Sequence, residues 1–360
     1  MPDIKAEKIE KYLETVFKKK VNLLFMRELG KEPEAKELKA YGYGVPILVE
    51  IEMDGEKRSV VIESMAAGQF GHEHFSDRAQ VILWDYDTFN RLPRHAKAID
   101  VGAFIKDGGL ISVGNADEFF LLMDFIEGEG YFKDLERIKT SGEITDLDIN
   151  RVKALSDYLA EVHKTKKVEP SLYIRKIRDT IGHGECIMGI ADSYPNKFEF
   201  IDSRLLEKIE KKCIEWRWRI KPLTHRLSQV HGDFHPWNIL FRKDIDFTVL
   251  DRARGEWGEI ADDVASMTIN YIFFSLQRYG RLEGPFERLF ILFWENYLEK
   301  AKDMEILNIV QPFYAFRGLV IASPVWYPKL SLEVRKKVFK FIEKVLASKK
   351  FDFRKVNRYI

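Results

Sequence analysis

At 360 residues the chain exceeds one typical domain, so two lobes or domains are expected. Hydrophobic residues make up 46%, with 26 Phe and 7 Trp, which suffices for a buried core; 58 basic against 57 acidic residues leave a net charge of +1 and exclude a general pull toward nucleic acid or anionic membrane. No apolar run approaches the roughly 18–20 residues of a bilayer span, the first residues lack the apolar core of a signal peptide, and Cys186 and Cys213 alone give neither a disulfide framework nor a Cys-based zinc pattern. The expectation is a soluble, cytoplasmic protein without a nucleic-acid or membrane partner.

Residues 5–19 are predicted helical, with Ile9, Leu13, Val16 and Phe17 on one face. Residues 21–26 read as a strand. Two further extended runs, 45–53 and 59–65, meet at Asp54-Gly55, a strong hairpin signal. Residues 76–90 follow as a helix. The run 118–128 reads as an apolar strand ending in an acid and a glycine, and the lobe boundary is placed there, giving lobes 1–126 and 127–360. Beyond it, Thr145-x-x-Asp148 can cap a helix carrying Val152, Leu155, Leu159 and Val162. Later helices are expected near 205–220, 263–279, 285–300 and 331–347. Strands first and helices second predict an α+β chain: a small antiparallel-sheet N-lobe and a larger, mainly helical C-lobe.

The stretch most charged with chemistry is 230–241, Val-His-Gly-Asp-Phe-His-Pro-Trp-Asn-Ile-Leu-Phe. It places a carboxylate, Asp233, and a carboxamide, Asn238, on one short loop. A strand-like run, 247–250, then delivers a second carboxylate, Asp251. Phosphoryl transfer uses this set: one carboxylate orients a hydroxyl and accepts its proton, while the amide and the second carboxylate hold Mg²⁺ against the nucleotide phosphates.

His231-Gly232-Asp233-x-His235-x-x-Asn238 resembles the catalytic loop of the aminoglycoside phosphotransferase and choline kinase family, relatives of the protein kinases. Three further stretches extend the resemblance in the family's order. Leu159-Ala160-Glu161-Val162-His163 is similar to its helical segment upstream of the loop, and 121–128 to its interlobe hinge. Residues 258–265 are similar to its Gly-Asp-Pro-Ala-x-Asp-Leu-Ala segment, departing at Glu259, Ile260 and Val264. The resemblance implies a two-lobed protein-kinase-like fold and an ATP- and Mg²⁺-dependent phosphotransferase acting on a small molecule. Asp233 would be the base, and Asn238 and Asp251 the metal ligands. Asp263 and His231 would support the loop, and the backbone of Met123, Asp124 and Phe125 would meet adenine. His163 reads better as a satisfied helix histidine than as a chemical group.

The N-terminal lobe departs from the family pattern. Glu63 falls where a phosphate-binding lysine is expected, and at ~4 Å with an effective dielectric near 20 two unit charges interact by roughly 4 kcal/mol, so the reversed sign matters. Arg78 is a candidate charge-swapped partner for Glu63, and Lys36, Lys39 and Lys57 are other sources of positive charge. The phosphate-covering loop is either Gly30-Lys31 or the segment with Gly42 and Gly44, which equally reads as a bulge. Glu63 also motivates the alternative of a catalytically silent, nucleotide-binding pseudokinase. A metallophosphoesterase reading of Asp233-x-His235 lacks the further ligands such two-metal sites need.

For the acceptor, three stretches can line the pocket: 173–186 with Arg175 and Arg178, 251–254 with Arg252, and 312–328 with Arg317 and Trp326. Arginine recurs in all three, whereas polycationic acceptors need acidic walls. The acceptor is therefore expected to be neutral or anionic. Trp326 is either an aromatic wall for it or core. The acceptor's identity, ATP against GTP, and the oligomeric state stay open at this point.

Overall fold

The computed structural model describes residues 5–29, 44, 46–68, 70–252 and 254–360. They belong to two compact units divided between Met123 and Asp124. Among the described residues no helix is long and apolar enough to cross a membrane.

The first unit begins with α1 (Ala6–Phe17), then β1 (Asn22–Glu28), β2 (Ile47–Met53) and β3 (Glu56–Ile62), an antiparallel sheet in the order β1-β2-β3. Ile9 and Leu13 of α1 bury against Val49, Ile51 and Val60, which the period of two places on one face of the sheet. Between β2 and β3, Asp54 and Gly55 both take positive φ, 52° and 80°, as a tight hairpin of this hand requires. β3 stops at Ile62, short of the expected 65. Then come α2 (Phe75–Phe89) and the hairpin β4 (Gly102–Phe104) and β5 (Leu110–Ser112).

The run 118–128 forms no strand, contrary to the expectation. Phe120 is 91% and Leu122 88% exposed. Apolarity supplies a strand only when a neighbour takes its backbone N–H and C=O groups, and here pairing starts at Glu129.

The second unit holds β6 (Glu129–Gly130), α3 (Tyr131–Ser141), α4 (Asp146–Val162), α5 (Pro170–Gly182) and the short α6 (Ile187–Asp192). The hairpin β7 (Lys197–Phe198) and β8 (Ile201–Asp202) leads into α7 (Ser203–Ile220). Next come β9 (Ser228–Gln229), β10 (Ile239–Phe241), β11 (Phe247–Val249) and β12 (Trp257–Gly258). The chain closes with α8 (Ala261–Tyr279), α9 (Gly284–Ala301), α10 (Gln311–Ala322) and α11 (Leu332–Ala347). Thr145 caps α4: its side chain accepts from Asp148 N at 3.4 Å, and the Asp148 carboxylate accepts from Thr145 N at 2.7 Å.

Helix α8 is the axis of this unit. From Asp263 to Leu276 every residue is buried, so it has no solvent face, and α3, α9, α10 and α11 surround it. Its N-terminus lies beneath the 230–238 loop. Two strand pairs fix the ends of that loop: β9 with β12 on the entering side, and β10 with β11 on the leaving side. The α4–α9 seam packs the same core, with Leu155 fully buried. Leu155→Ala is expected to cost about 2–5 kcal/mol, read as a lower denaturant midpoint at unchanged slope; a loss below about 1 kcal/mol would contradict this packing.

Candidate active site

The loop is anchored from below by one carboxylate. Asp263, fully buried on the first turn of α8, accepts the backbone N–H of His231 at 2.7 Å on Oδ2 and that of Gly232 at 2.7 Å on Oδ1. His163, at the end of α4, lies 3.2 Å from the same Oδ2 through Nε2 and 2.8 Å from the Tyr297 hydroxyl through Nδ1. Burial works against the charge on Asp263, but His163 and the loop N–H groups outweigh it and hold the carboxyl below its usual range. Gly232 takes φ 88°, and a Cβ there would come within 3.2 Å of Arg254 Cβ. Only glycine adopts that turn against that neighbour without strain.

The bound turn lifts Asp233 to the edge of the fold, where its side chain is 19% exposed. Its backbone N–H donates to His231 Nδ1 at 3.2 Å, which makes Nδ1 the unprotonated nitrogen. Burial lowers the His231 pKa, in keeping with a neutral ring. Arg317, reaching from α10, donates through Nη1 to Asp233 Oδ1, through Nη2 to Gly232 O at 3.0 Å, and through Nε and Nη2 to Asp262 Oδ1 at 2.9 and 2.7 Å. His235 Nε2 stands 3.4 Å from the other Asp233 oxygen. Burial again opposes ionisation, but Arg317 and His235 overcome it and keep the Asp233 carboxyl far below the ordinary value. Asp262 moves the opposite way, raised by burial even though Arg317 and Arg254 favour its charge.

Asn238 closes the loop. Its Nδ2 donates to Asp233 O at 3.1 Å, and its own carbonyl accepts Leu250 N–H at 2.8 Å. The β10–β11 register pairs Ile239 with Val249, so the chain beyond Leu250 runs past the 230–238 loop. Asp251 follows directly with φ 56°, a left-handed conformation uncommon outside glycine and tolerated by Asp and Asn. Among the described residues no group of three or more His, Cys, Asp or Glu side chains is disposed to hold a metal ion.

Other predicted residues fall elsewhere. Arg317 was expected to meet the acceptor; its N–H groups are instead committed to Asp233, Asp262 and Gly232. Arg252, expected in the same role, clasps backbone, donating to Val230 O at 3.1 and 2.7 Å and to Glu256 O at 3.3 Å. Arg175 and Arg178 lie on α5, each with Nε within 3.4 Å of an Asp179 oxygen. Trp326 is 62% exposed in the turn after α10, which rules out a core position. In the first unit Glu63 lies one residue past β3, and Arg78 donates to the carbonyls of His72, Glu73 and His74 rather than to Glu63. Gly44 abuts Ser64, whose carbonyl oxygen a Cβ would approach to 1.9 Å, and this by itself demands glycine. Gly42, with Lys36, Lys39 and Gly30-Lys31, lies outside the described residues. Met123, Asp124 and Phe125 are exposed, without regular secondary structure, at the division between the units. Asp262 falls at the variable position of the 258–265 segment, so no role is expected for it from the sequence, yet it is the acid that pairs with Arg317.

The fold is α+β, with a small antiparallel-sheet unit and a larger, mainly helical one carrying a carboxylate–amide loop on a buried acid. That is the class of two-lobed, protein-kinase-like proteins. The particular family follows from sequence: the phosphotransferase enzyme family matches residues 105–284, half of the chain, and the chain belongs to it. Among solved structures it is similar to an ethanolamine kinase from Plasmodium vivax, at 13% identity and TM-score 0.37 over 94% of this chain and 80% of that one. It is similar to a choline kinase from Streptococcus pneumoniae at 10% identity and TM-score 0.35, covering 95% and 98%. It is also similar to an amicoumacin kinase in complex with AMP-PNP, at 12% and 0.42, covering 90% and 92%. No curated protein sequence matches it.

Asp263→Asn leaves one acceptor oxygen for two N–H donors, so it is expected to cost about 1–3 kcal/mol. The lowered pKa also sets a sign. The contribution of Asp263 is fully present above the unfolded-state value near 3.9 and is lost as pH falls through the lower folded value. Acid titration of stability in the variant should therefore be shallower below about pH 4. Identical denaturation curves for both proteins would refute the anchoring.

Proposed function

We propose that the protein is a small-molecule kinase that moves the γ-phosphate of Mg-ATP to a hydroxyl of a neutral or anionic acceptor. The observation that carries this reading is the Asp233 carboxylate, held ionised beside Asn238 on a turn tied to buried Asp263. Phosphoryl transfer through a loose transition state demands little covalent chemistry from the protein, so positioning and electrostatics supply most of the rate. Asp233 receives the acceptor hydroxyl and takes its proton late, with Arg317 fixing one of its oxygens and His235 Nε2 standing 3.4 Å from the other.

The donor chemistry suits magnesium. The Asn238 nitrogen is committed to Asp233 O, so its oxygen is the atom available to a cation, and Asp251 adds a carboxylate. Two protein oxygens are what Mg²⁺ accepts when phosphates and waters complete its octahedron. When bound, it neutralises charge on the β- and γ-phosphate oxygens. Nucleotide contacts are proposed for Gly42, Gly44 and Glu63 on the phosphate side and the backbone of Met123, Asp124 and Phe125 on the adenine side. Arg175, Arg178 and Trp326 remain proposed acceptor contacts. A cytoplasmic setting belongs to the same proposal. Glu63 supports one competing reading, a silent nucleotide binder, because it places an acid where the family carries a lysine.

A screen of Mg-ATP consumption over a panel of small hydroxylated metabolites separates the two. Asp233→Asn is expected to lower kcat by about 10²–10⁴ while nucleotide affinity shifts by less than about twofold. Asp251→Ala should abolish the Mg²⁺-dependent part of nucleotide binding. Nucleotide binding without turnover on any acceptor would favour the silent binder. Since Asp233 is held well below the ordinary range, the acid side of the pH–rate profile should stay level down to about pH 5; an acid limb centred near 6 would contradict its role.

A further inference from the structure

Arg254 is placed unlike the other arginines around the loop. Arg317 and Arg252 are engaged through several N–H groups each, whereas the Arg254 guanidinium makes no hydrogen bond or ion pair with any described residue, and its Nη1 is buried without a partner. It lies over the Phe316 ring, 4.8 Å from the centroid, on the residue adjoining Arg317. Its backbone is pinned as well: Lys176 Nζ donates to Arg254 O at 2.8 Å, and its Cβ sits against Gly232. The charge is close enough to Asp233, Asp262 and Cys186 to act on all three. Of those carboxylates, Asp233 and Asp262 are already engaged by Arg317.

A guanidinium that has lost water on one edge and gained no protein acceptor is costly unless something else supplies the acceptor. The planar fork matches a carboxylate or phosphate through two parallel bonds, and an aromatic face beneath it limits its rotation. We propose that Arg254 anchors an anionic group, phosphate or carboxylate, carried by the acceptor, so that the substrate is an acidic metabolite held with its free hydroxyl at Asp233. This rests on the kinase reading for the identity of the neighbouring base. It narrows the acceptor from neutral or anionic to anionic, and it transfers the anchoring role from Arg252 and Arg317, whose N–H groups are engaged, to Arg254.

The test uses inorganic phosphate as the probe on the full chain saturated with Mg-AMP-PNP, so that the nucleotide's own phosphates are in place. Titration calorimetry should show phosphate binding to the loaded wild-type protein. Arg254→Gln should weaken it at least tenfold, and Arg254→Lys, which keeps the charge but loses the fork, should fall between the two. AMP-PNP affinity should change less than twofold in both variants, and unchanged melting temperatures confirm that they are folded. Loss of AMP-PNP affinity in Arg254→Gln would overturn the proposal by assigning the residue to the transferred phosphate. Equal phosphate binding by wild type and variant, or none to the loaded wild type, would overturn it too. Should wild type fail to bind AMP-PNP at all, the kinase reading fails; phosphate titration of the nucleotide-free protein and Arg254→Gln then judges the anion site separately, and equal affinity there also overturns it.

Discussion

Two backbone N–H groups pointing at one buried carboxylate govern the site. Asp263 sits where α8 begins, and α8 has no face that is not packed, so the acid cannot move without disturbing the core of the larger unit. His231 and Gly232 are thereby held at fixed distance from the hydrophobic centre, and the sharp turn at Gly232 projects the next side chain outward. The placement of Asp233 thus derives from the packing of a helix. In the proposed role as base, Asp233 gains from such an arrangement, because a small displacement of a reacting group costs far more in rate than in stability.

Around that anchor the charges are organised as a chain. Asp263 draws on His163 and the loop amides, while Asp262, one residue earlier, is tied to Arg317. Arg317 in turn spans from Asp262 to Asp233 and to the Gly232 carbonyl, joining α10, α8 and the loop. Burying one arginine with two carboxylates is tolerable because its fork meets both and a backbone oxygen as well. Removing Arg317 would take the shared cation from both acids at once, whereas removing either acid leaves Arg317 paired with the other.

Much of this was legible in the sequence because it is local. The hairpin at Asp54-Gly55, the cap Thr145-x-x-Asp148 and the helices 205–220 and 331–347 follow from turn residues and periodicity within a short window. So does the grouping of Asp233 with Asn238, which lie on one loop. What was not legible depends on contacts distant in sequence. Arg317 lies 84 residues from Asp233, and no local pattern distinguishes an arginine that meets substrate from one that meets a carboxylate. Helix α10 was missed because it is buried on nearly all faces and shows no periodicity. The apolar run 118–128 was read as a strand because residue type speaks of strand propensity but not of whether a neighbour exists.

The account therefore depends on the His231 and Gly232 amides being sealed against solvent by Asp263. Amide hydrogen exchange of the native, ligand-free protein tests this directly. Both N–H groups should exchange only through global unfolding of the helical unit, with protection equal to that of the central turns of α8. Exchange at the rate of an open surface loop would contradict the account.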